Sequence, residues 1–247
     1  MSDWPQGYGR RVLAEVDSTM AEAARIGPGL AGPEWILGLR QTAGRGRRGR
    51  AWRDPEGNFA ATLVMRPDAP PDQVALRSFV AALALFDACV AVTGRAEGYA
   101  LKWPNDVLLN GGKLAGILLE SSGQGGRITH VAIGIGVNLV NVPPAVDDGA
   151  VAPVSLAGET GVTVTPEAFL DVLAPAWARR EQVFRDYGFA PIREAWLARA
   201  ARLGEEIVAR TAREDCRGVF ETVDEQGNLV LSTPKGRRAI AAAEVFF

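Results

Sequence analysis

The 247-residue sequence predicts an α+β protein in two parts, a large domain over residues 1–203 and a small one over residues 204–247. Strand-like runs and helical patterns are interspersed before residue 204, whereas only short strand-like runs separated by turn residues follow it. A unit of roughly 45 residues is too small to be stable alone. We therefore expect the second part to be a small antiparallel β-barrel docked on the first.

Several elements have a local signal in the sequence. Helix starts are indicated by Asp17 or Ser18, either of which is a good N-cap, and by Thr165-Pro166, a cap followed by proline. Asn110-Gly111-Gly112 predicts a hairpin turn, because these residues tolerate positive φ. The resulting assignment is strands over 11–16, 35–42, 58–66, 99–110, 113–121 and 128–139, and helices from 17 or 18, over 72–92, from 165 and over 191–203.

The last 44 residues have a different pattern. Four runs, EIVART, CRGVFETVD, GNLVLSTP and RRAIAAAEVFF, read as short strands, with turn residues between them, notably over 224–228. Gly204, a favoured helix C-terminal residue, marks the boundary between the two parts.

Composition restricts the classes of function. The chain is 47% hydrophobic and 23% charged with a net charge of −2, so it has no overall attraction to nucleic acid. Its only histidine is His130, and Cys89 and Cys216 lie far apart. Most metal sites and catalytic triads need several His or Cys residues, so arginine, lysine and backbone groups must carry any enzymatic chemistry.

The sequence also carries no signal for membrane insertion or secretion. We expect no membrane span, because no run of about eighteen apolar residues occurs. The N-terminal residues lack the apolar region of a secretory signal, so a cytoplasmic location is the default expectation.

A glycine-rich loop over residues 44–50, GRGRRGR, is the strongest chemical signal. Arginine presents a fixed fork of donors that matches phosphate and carboxylate, and glycine lets the backbone approach a ligand closely. A solvated basic loop or a nucleic-acid patch would have the same composition. Because the chain has no second dense basic cluster, a compact ligand with phosphates is the better interpretation. Trp52, just after the loop, could stack on a purine ring or simply anchor the loop.

Two lysines stand in apolar strand contexts downstream. Lys113 begins a strand beside a tight turn, and Lys102 lies between Leu101 and Trp103. Either ammonium could contact a carboxylate or a phosphate, or could merely extend to solvent at the edge of the sheet.

Polar residues near these lysines have two readings each. Asn105 and Asp106 follow Pro104 in a turn context, where both side chains often bond the backbone. Asp106 could instead help to hold a hydrated Mg²⁺ ion. Asn138 either closes a strand end or touches ligand.

Five strings, in their order and spacing, resemble the biotin protein ligase family. They are EVDSTMAEAAR (15–25), QTAGRGRRGRAW (41–52), KWPNDVLL (102–109), KLAGILLE (113–120) and GIGVNL (134–139). The resemblance covers essentially the whole chain. It implies a mixed-sheet catalytic domain of the biotin/lipoate ligase type and a small SH3-like β-barrel at the C-terminus.

The resemblance implies a two-step reaction. The carboxylate of biotin attacks the α-phosphate of ATP, taken with Mg²⁺, to give biotinyl-5′-AMP and pyrophosphate. A lysine of a biotin carboxyl carrier protein, an acetyl-CoA carboxylase subunit, then attacks the anhydride and releases AMP. No covalent enzyme intermediate is required, so catalysis depends on positioning and on neutralising charge.

The resemblance also implies roles for individual residues. Lys113 and Arg47 are the implied catalytic residues. Biotin contacts fall on Ser18, Thr19, Gln41, Arg45, Gly46, Arg47 and Lys113. Contacts with ATP or the adenylate fall on Arg50, Trp52, Lys102, Asn105 and Asn138, with Asp106 facing Mg²⁺ through water.

Two departures from the family pattern stand out. Met20 takes the place of an asparagine that usually follows the Ser-Thr pair, so no hydrogen bond to biotin is expected from position 20. The pattern starts by residue 11, which predicts an enzyme without the N-terminal DNA-binding domain that some members carry.

Alternative interpretations remain at this stage. A lipoate or other acyl-protein ligase would use the same chemistry with a differently shaped pocket, and an RNA-binding module would use only the arginine loop. A homodimer formed through an exposed sheet edge is also allowed.

Overall fold

A seven-stranded sheet forms the centre of the molecule. The computed structural model describes residues 4–52, 55–67, 69–124, 127–144 and 151–247. The strand order is β1-β2-β3-β7-β6-β5-β4, and only the β1–β2 pair is parallel, so the predicted mixed sheet is confirmed. The strands are β1 Gly9–Leu13, β2 Glu34–Gly38, β3 Phe59–Met65, β4 Tyr99–Lys102, β5 Asp106–Leu109, β6 Gly112–Gln124 and β7 Arg127–Val137.

Helices cover both faces of this sheet. They are α1 Thr19–Ile26, α2 Pro71–Ala75, α3 Arg77–Thr93, α4 Leu156–Thr160, α5 Pro166–Tyr187 and α6 Phe189–Leu197. Helices α3 and α5 pack on one face, where Trp35 and Ile133 belong to the main hydrophobic core. Helix α1 packs on the other face, where Ile36 and Ala132 belong to a second, smaller cluster. Successive residues of a strand point to opposite faces, which explains this alternation.

The C-terminal residues form a separate five-stranded antiparallel sheet in the order β11-β10-β9-β8-β12. Its strands are β8 Glu206–Arg210, β9 Asp215–Val223, β10 Leu229–Thr233, β11 Gly236–Ile240 and β12 Glu244–Phe246. Buried residues of this sheet, including Ile207 and Phe220, belong to the same hydrophobic cluster as α3 and the large sheet. The two parts therefore pack against each other through a shared core, which offsets the small size of the second.

Several local predictions are confirmed. Thr165 caps α5, its side chain accepting a hydrogen bond from the Ala168 N–H. Asn110 and Gly111 adopt φ values of 50° and 82° in the hairpin turn between β5 and β6. Ser18 occupies the N-cap position of α1, but its side chain makes no capping hydrogen bond.

Other boundaries were wrong. The strand predicted over 99–110 is two antiparallel strands, β4 and β5, because the chain reverses at Trp103-Pro104. Leu76 separates α2 from α3 within the helix predicted over 72–92. Helix α6 ends at Leu197, and the run predicted as the last strand is two strands, β11 and β12. In each case the apolar pattern continues through a change of direction that it does not encode.

One helical segment, Pro71–Thr93, is long and apolar enough to cross a membrane by composition, with a mean hydropathy of 1.9. Most of its apolar window, 72%, is buried inside the protein. The buried residues of α3 pack in the main core, as expected for a core helix.

Candidate active site

A cavity of about 570 Å³ lies against the α1 face of the large sheet. The glycine-rich loop, the start of α1, the β4–β5 turn and strand β12 surround it. Twelve of the residues proposed from the sequence line this single cavity: Ser18, Thr19, Gln41, Arg45, Gly46, Arg47, Arg50, Trp52, Lys102, Asn105, Asp106 and Lys113. Residues up to 95 positions apart in the chain are thus brought together.

One end of the cavity is polar and buried. Gln41 Oε1 accepts hydrogen bonds from the Thr19 backbone N–H (2.9 Å) and from the Thr19 hydroxyl (3.2 Å). Thr62, on β3, donates to Thr19 Oγ1 at 2.8 Å. Ser18 Oγ is buried and has no hydrogen-bond partner among the described residues. Because a buried hydroxyl without a partner is unfavourable, Ser18 is suited to hydrogen-bond a ligand.

Met20 forms an apolar wall beside this polar end. Its side chain is 4% exposed, and its Sδ atom lies 2.8 Å from where a Cβ would stand on Gly134. The missing side chain at Gly134 therefore makes room for the thioether. At this position the cavity offers surface for packing and no hydrogen-bond donor.

The glycine-rich loop is folded as a compact hairpin-like structure. Gly46 N–H donates to Arg50 O at 2.7 Å, and Trp52 N–H donates to Gly44 O at 2.9 Å. A short 3₁₀ turn over Arg47–Gly49 lies between these bonds. The loop thus has an ordered backbone from which its arginines extend.

The arginines of the loop reach three different elements. Arg47 Nη1 donates to Asn105 Oδ1 at 3.1 Å. Arg45 pairs with Glu120 of β6 at 2.9 Å. Arg50 forms two bonds, of 2.6 and 3.0 Å, with Glu244 of β12. The loop is therefore fastened over the cavity by polar contacts instead of by a hydrophobic core.

The Trp52 indole packs against two glycines of the cavity floor. A Cβ on Gly136 of β7 would overlap the indole ring, and one on Gly116 of β6 would lie 3.3 Å from it. The two glycines are paired across the sheet. The absence of side chains at these two positions makes room for the indole, which is the type of ring on which a planar ligand group can stack.

A carboxylate lies between the two lysines. Asp106 is 2.8 Å from Lys113 Nζ and 3.9 Å from Lys102 Nζ. Burial lowers the pKa of the Lys102 ammonium, while the neighbouring Asp106 opposes that shift. An anion bound here would stabilise the charged form of Lys102, because its negative charge would offset the hydration that the ammonium loses on burial.

The described residues do not fit a metal ion held by the protein itself. Among them, no group of three or more His, Cys, Asp or Glu side chains could hold an ion. The two lysines already neutralise Asp106, which makes it a poor direct ligand. Mg²⁺, which prefers to keep several waters, would be carried by the nucleotide phosphates.

The structure places Asn138 outside the cavity. Its side chain is 2% exposed, and its amide donates to Val154 O at 3.0 Å and to Lys113 O at 3.4 Å. These bonds fasten the segment at 152–154 beside Lys113, while Asn138 Oδ1 is buried and has no hydrogen-bond partner among the described residues, so the contact with ATP stays a prediction. Asn138 therefore supports the position of Lys113 indirectly.

We expect Asn138→Ala to lower the free energy of unfolding by about 1–3 kcal/mol, because Val154 O loses its buried donor. Urea denaturation measures this change. The exposed Asn141 offers a matched control, because its amide also donates to a backbone carbonyl, Glu56 O at 2.7 Å, but does so at the surface, and Asn141→Ala should change stability by less than about 1 kcal/mol. If Asn138→Ala instead had normal stability but bound nucleotide more weakly, the result would support the direct contact with ATP that the sequence predicts.

Sequence reasoning missed two residues of the site. Thr62 is a fully buried polar residue in an otherwise apolar strand, and that contrast was an available signal. Glu244 belongs to the C-terminal sheet, where Ala243–Phe246 form part of the cavity wall. A single charge in the run AAAEVFF was the only local sign of its role.

Comparison with known proteins gives a consistent result. Residues 15–138 match the model of the biotin/lipoate A/B protein ligase family, and residues 203–247 match the biotin protein ligase C-terminal domain. A biotin–[acetyl-CoA-carboxylase] ligase of Paracoccus denitrificans is 59% identical over 238 residues, covering 96% of this chain and 99% of the relative. The bifunctional ligase/repressor of Bacillus subtilis is 32% identical, covering 85% of this chain but 65% of the relative.

Solved structures share the fold. The biotin protein ligase of Aquifex aeolicus, solved in complex with biotin and ATP, superposes with a TM-score of 0.81 at 24% identity, covering 96% of this chain and 97% of that one. Since both family models match and the Paracoccus relative is similar along its whole length, this chain belongs to the biotin/lipoate A/B protein ligase family and carries the C-terminal domain of its biotin protein ligases.

Proposed function

We propose that this protein is an ATP-dependent biotin protein ligase. It forms biotinyl-5′-AMP from biotin and ATP and transfers biotin to a lysine of the biotin carboxyl carrier protein of acetyl-CoA carboxylase. The observation that carries this proposal is one cavity with a buried polar end at Ser18 and a cationic end at Lys113. The 59% identity to a biotin–[acetyl-CoA-carboxylase] ligase supports the choice of substrate and acceptor.

The polar end binds the biotin head group. Ser18 Oγ, Thr19 and Gln41 supply hydrogen-bonding groups, and Met20 supplies an apolar wall. The valeryl chain then extends from this end toward the cations, past the side chains of Met20 and Trp52 that cover Gly134 and Gly136. Glycine at these two positions makes room for the thioether and the indole that form this part of the cavity wall.

The cationic end binds the reacting groups. Lys113 and Arg47 neutralise the charge that develops on the carboxylate and on the α-phosphate, and Lys102 binds the phosphates. Trp52 stacks on the adenine, and Arg50 orders the loop through Glu244. The carboxylate oxygen of biotin attacks the α-phosphorus, and pyrophosphate leaves with the electrons of the broken P–O bond.

The second step needs no enzyme nucleophile. The neutral amine of the acceptor lysine attacks the acyl carbon of the adenylate, and AMP leaves as the C–O bond breaks. The loop over the cavity limits the access of water to the mixed anhydride until the acceptor arrives.

Biotin-dependent exchange of labelled pyrophosphate into ATP, with purified protein and Mg²⁺, tests the first step. Exchange that requires biotin supports the proposal. Exchange with lipoate but not biotin would keep the chemistry and change the substrate. No exchange with either acid would remove the main support for ligase activity.

An RNA-binding module built on the arginine loop is the weaker alternative. Arg45, Arg47 and Arg50 all line the cavity, Arg47 and Arg50 contact Asn105 and Glu244 of its wall, and the net charge of the chain is −2. Such an arrangement suits a compact anionic ligand better than an extended polyanion. RNA affinity with a steep salt dependence, without pyrophosphate exchange, would favour the alternative.

We expect Arg47→Ala to leave the fold intact but to speed release of the adenylate by about 10- to 100-fold. Arg47 contributes a polar contact to Asn105 and nothing to the hydrophobic core. The release of labelled biotinyl-5′-AMP from preloaded protein measures the effect. A large fall in melting temperature without biotin would show instead that Arg47 is structural.

A homodimer stays a prediction. Strand β1 is an edge of the large sheet and is partly exposed, so it could pair with a second copy. Analytical ultracentrifugation with and without biotin and ATP measures the association directly.

A further inference from the structure

The C-terminal sheet holds the catalytic β4–β5 turn through a specific contact. Trp103, in the KWPND segment, is 4% exposed, and its Nε1–H donates to Gly227 O at 3.1 Å. Gly227 lies in the turn between β9 and β10, 124 positions further along the chain. A buried indole N–H needs an acceptor, so this bond fixes the two segments to each other.

The β9–β10 turn is itself rigidly built around one side chain. Asp224 Oδ1 accepts from the backbone N–H groups of Gln226 (3.0 Å) and Asn228 (2.8 Å). Its other oxygen, Oδ2, accepts from Asn228 Nδ2 at 2.9 Å. Three bonds to one carboxylate define the conformation in which the carbonyl of Gly227 points at Trp103.

This turn is also pressed against the helical layer. Gly227 has a φ of 81°, and a Cβ there would lie 2.9 Å from Leu76 and 3.0 Å from Phe79. Only glycine permits both the backbone conformation and the close approach. The turn therefore cannot shift toward the core, and Asp224 limits its movement in the other directions.

On the cavity side, the β4–β5 turn presents the charged groups. Asn105 accepts from Arg47, and its own amide donates to Ile117 O at 2.5 Å. Asp106 pairs with Lys113 at 2.8 Å. The residues that neighbour Trp103 thus set the positions of both implied catalytic cations.

We propose that Asp224 and Trp103 are positioning residues for adenylate formation. Asp224 fixes the conformation of the β9–β10 turn, and the Gly227 carbonyl in that turn accepts a hydrogen bond from the Trp103 indole. Trp103 in turn fixes the position of the β4–β5 turn, which carries Asn105 and Asp106. This inference rests on the proposed ligase function and assigns the C-terminal sheet a task beyond forming part of the cavity wall. Neither residue is itself part of the cavity lining.

The effect on kinetics follows from this geometry. The biotin head group binds at Ser18, Thr19 and Gln41 near the start of α1, whereas the β4–β5 turn orients the two cations at the reacting carboxylate. A misplaced turn therefore lowers the rate of the chemical step much more than it lowers the affinity for biotin, whose head-group contacts remain. Small displacements of catalytic groups reduce rates steeply, and we expect losses of about tenfold.

The experiment measures biotin-dependent pyrophosphate exchange in the full-length protein, with kcat and the KM for biotin determined separately. Asp224→Ala removes all three bonds and should lower kcat about tenfold, with the KM for biotin within about twofold of wild type. Asp224→Asn keeps an oxygen for the two backbone N–H groups and should recover most of that loss. Trp103→Phe keeps an aromatic ring but removes the N–H, and it should lower kcat by the same factor as Asp224→Ala.

Two further variants make the test discriminating. Thr211 organises the β8–β9 turn of the same sheet by accepting from Arg213 and Glu214 N–H groups, far from Trp103 in sequence. Thr211→Ala should therefore leave kcat unchanged. The double variant Asp224→Ala/Trp103→Phe should be no slower than either single variant, because both break the same connection.

Several results would overturn the inference. They are a kcat of Asp224→Ala within twofold of wild type, an equal loss in Thr211→Ala, additive losses in the double variant, or a loss confined to the KM for biotin. Absence of exchange in the wild-type protein is a different result, which would refute the proposed function itself.

Discussion

Lys113→Ala is expected to slow biotin-dependent pyrophosphate exchange by about 100- to 1000-fold, the usual effect of removing one charge that stabilises a transition state. The Lys113 side chain is 31% exposed, ends in the cavity and lies 2.8 Å from Asp106. It is therefore held in position by one contact and still accessible to a ligand. The apparent affinity for the acceptor protein should change much less than the exchange rate.

Two variants separate the possible causes of this loss. Lys235 is exposed in the turn between β10 and β11, and Lys235→Ala should exchange pyrophosphate at the wild-type rate. Removing Lys113 also leaves Asp106 with less neutralisation, so Lys113→Ala is compared with Lys113→Ala/Asp106→Asn. If the double variant recovers the exchange rate, the negative charge left on Asp106, and not the loss of the Lys113 ammonium, causes the defect. A larger loss in acceptor binding than in exchange would contradict the assigned role.

Gly136→Ala is the second change for which we expect a large effect, a loss of exchange of roughly 100-fold. The added methyl group would overlap the indole ring of Trp52. Strand β7 is paired on both sides, with β3 and β6, so the strand cannot move away. The loop carries the indole and must shift instead, and the platform for adenine is lost.

The same measurement on a Trp52→Ala background tests this explanation. If the overlap with the ring is the cause, Gly136→Ala should lower the exchange rate little further in a protein that already lacks the indole. Thermal unfolding of the single variant should remain close to wild type. A marked fall in melting temperature, or a full additional loss on the Trp52→Ala background, would show that the methyl group distorts the sheet.

Local signals identified much of the molecule in advance. The Thr165-Pro166 helix start and the Asn110-Gly111 turn were correct, because caps and turns depend on a few adjacent residues. The change of pattern near Gly204 lies between α6 and the first strand of the second sheet. The β4–β5 reversal was missed, because an apolar pattern on both sides of Trp103-Pro104 reads as one strand.

The sequence by itself determined the α+β class, the family and the set of charged residues in the loop and the lysine strings, since those are properties of contiguous residues. Only the tertiary structure decided which distant groups complete the site. Thr62, Glu244 and Gly227 reach their partners through strand pairing and the packing of the two sheets. Asn138 is not among the residues that line the cavity, and its amide donates to the backbone carbonyls of Lys113 and Val154. Contacts of this kind depend on the arrangement of whole elements, so no pattern of neighbouring residues encodes them.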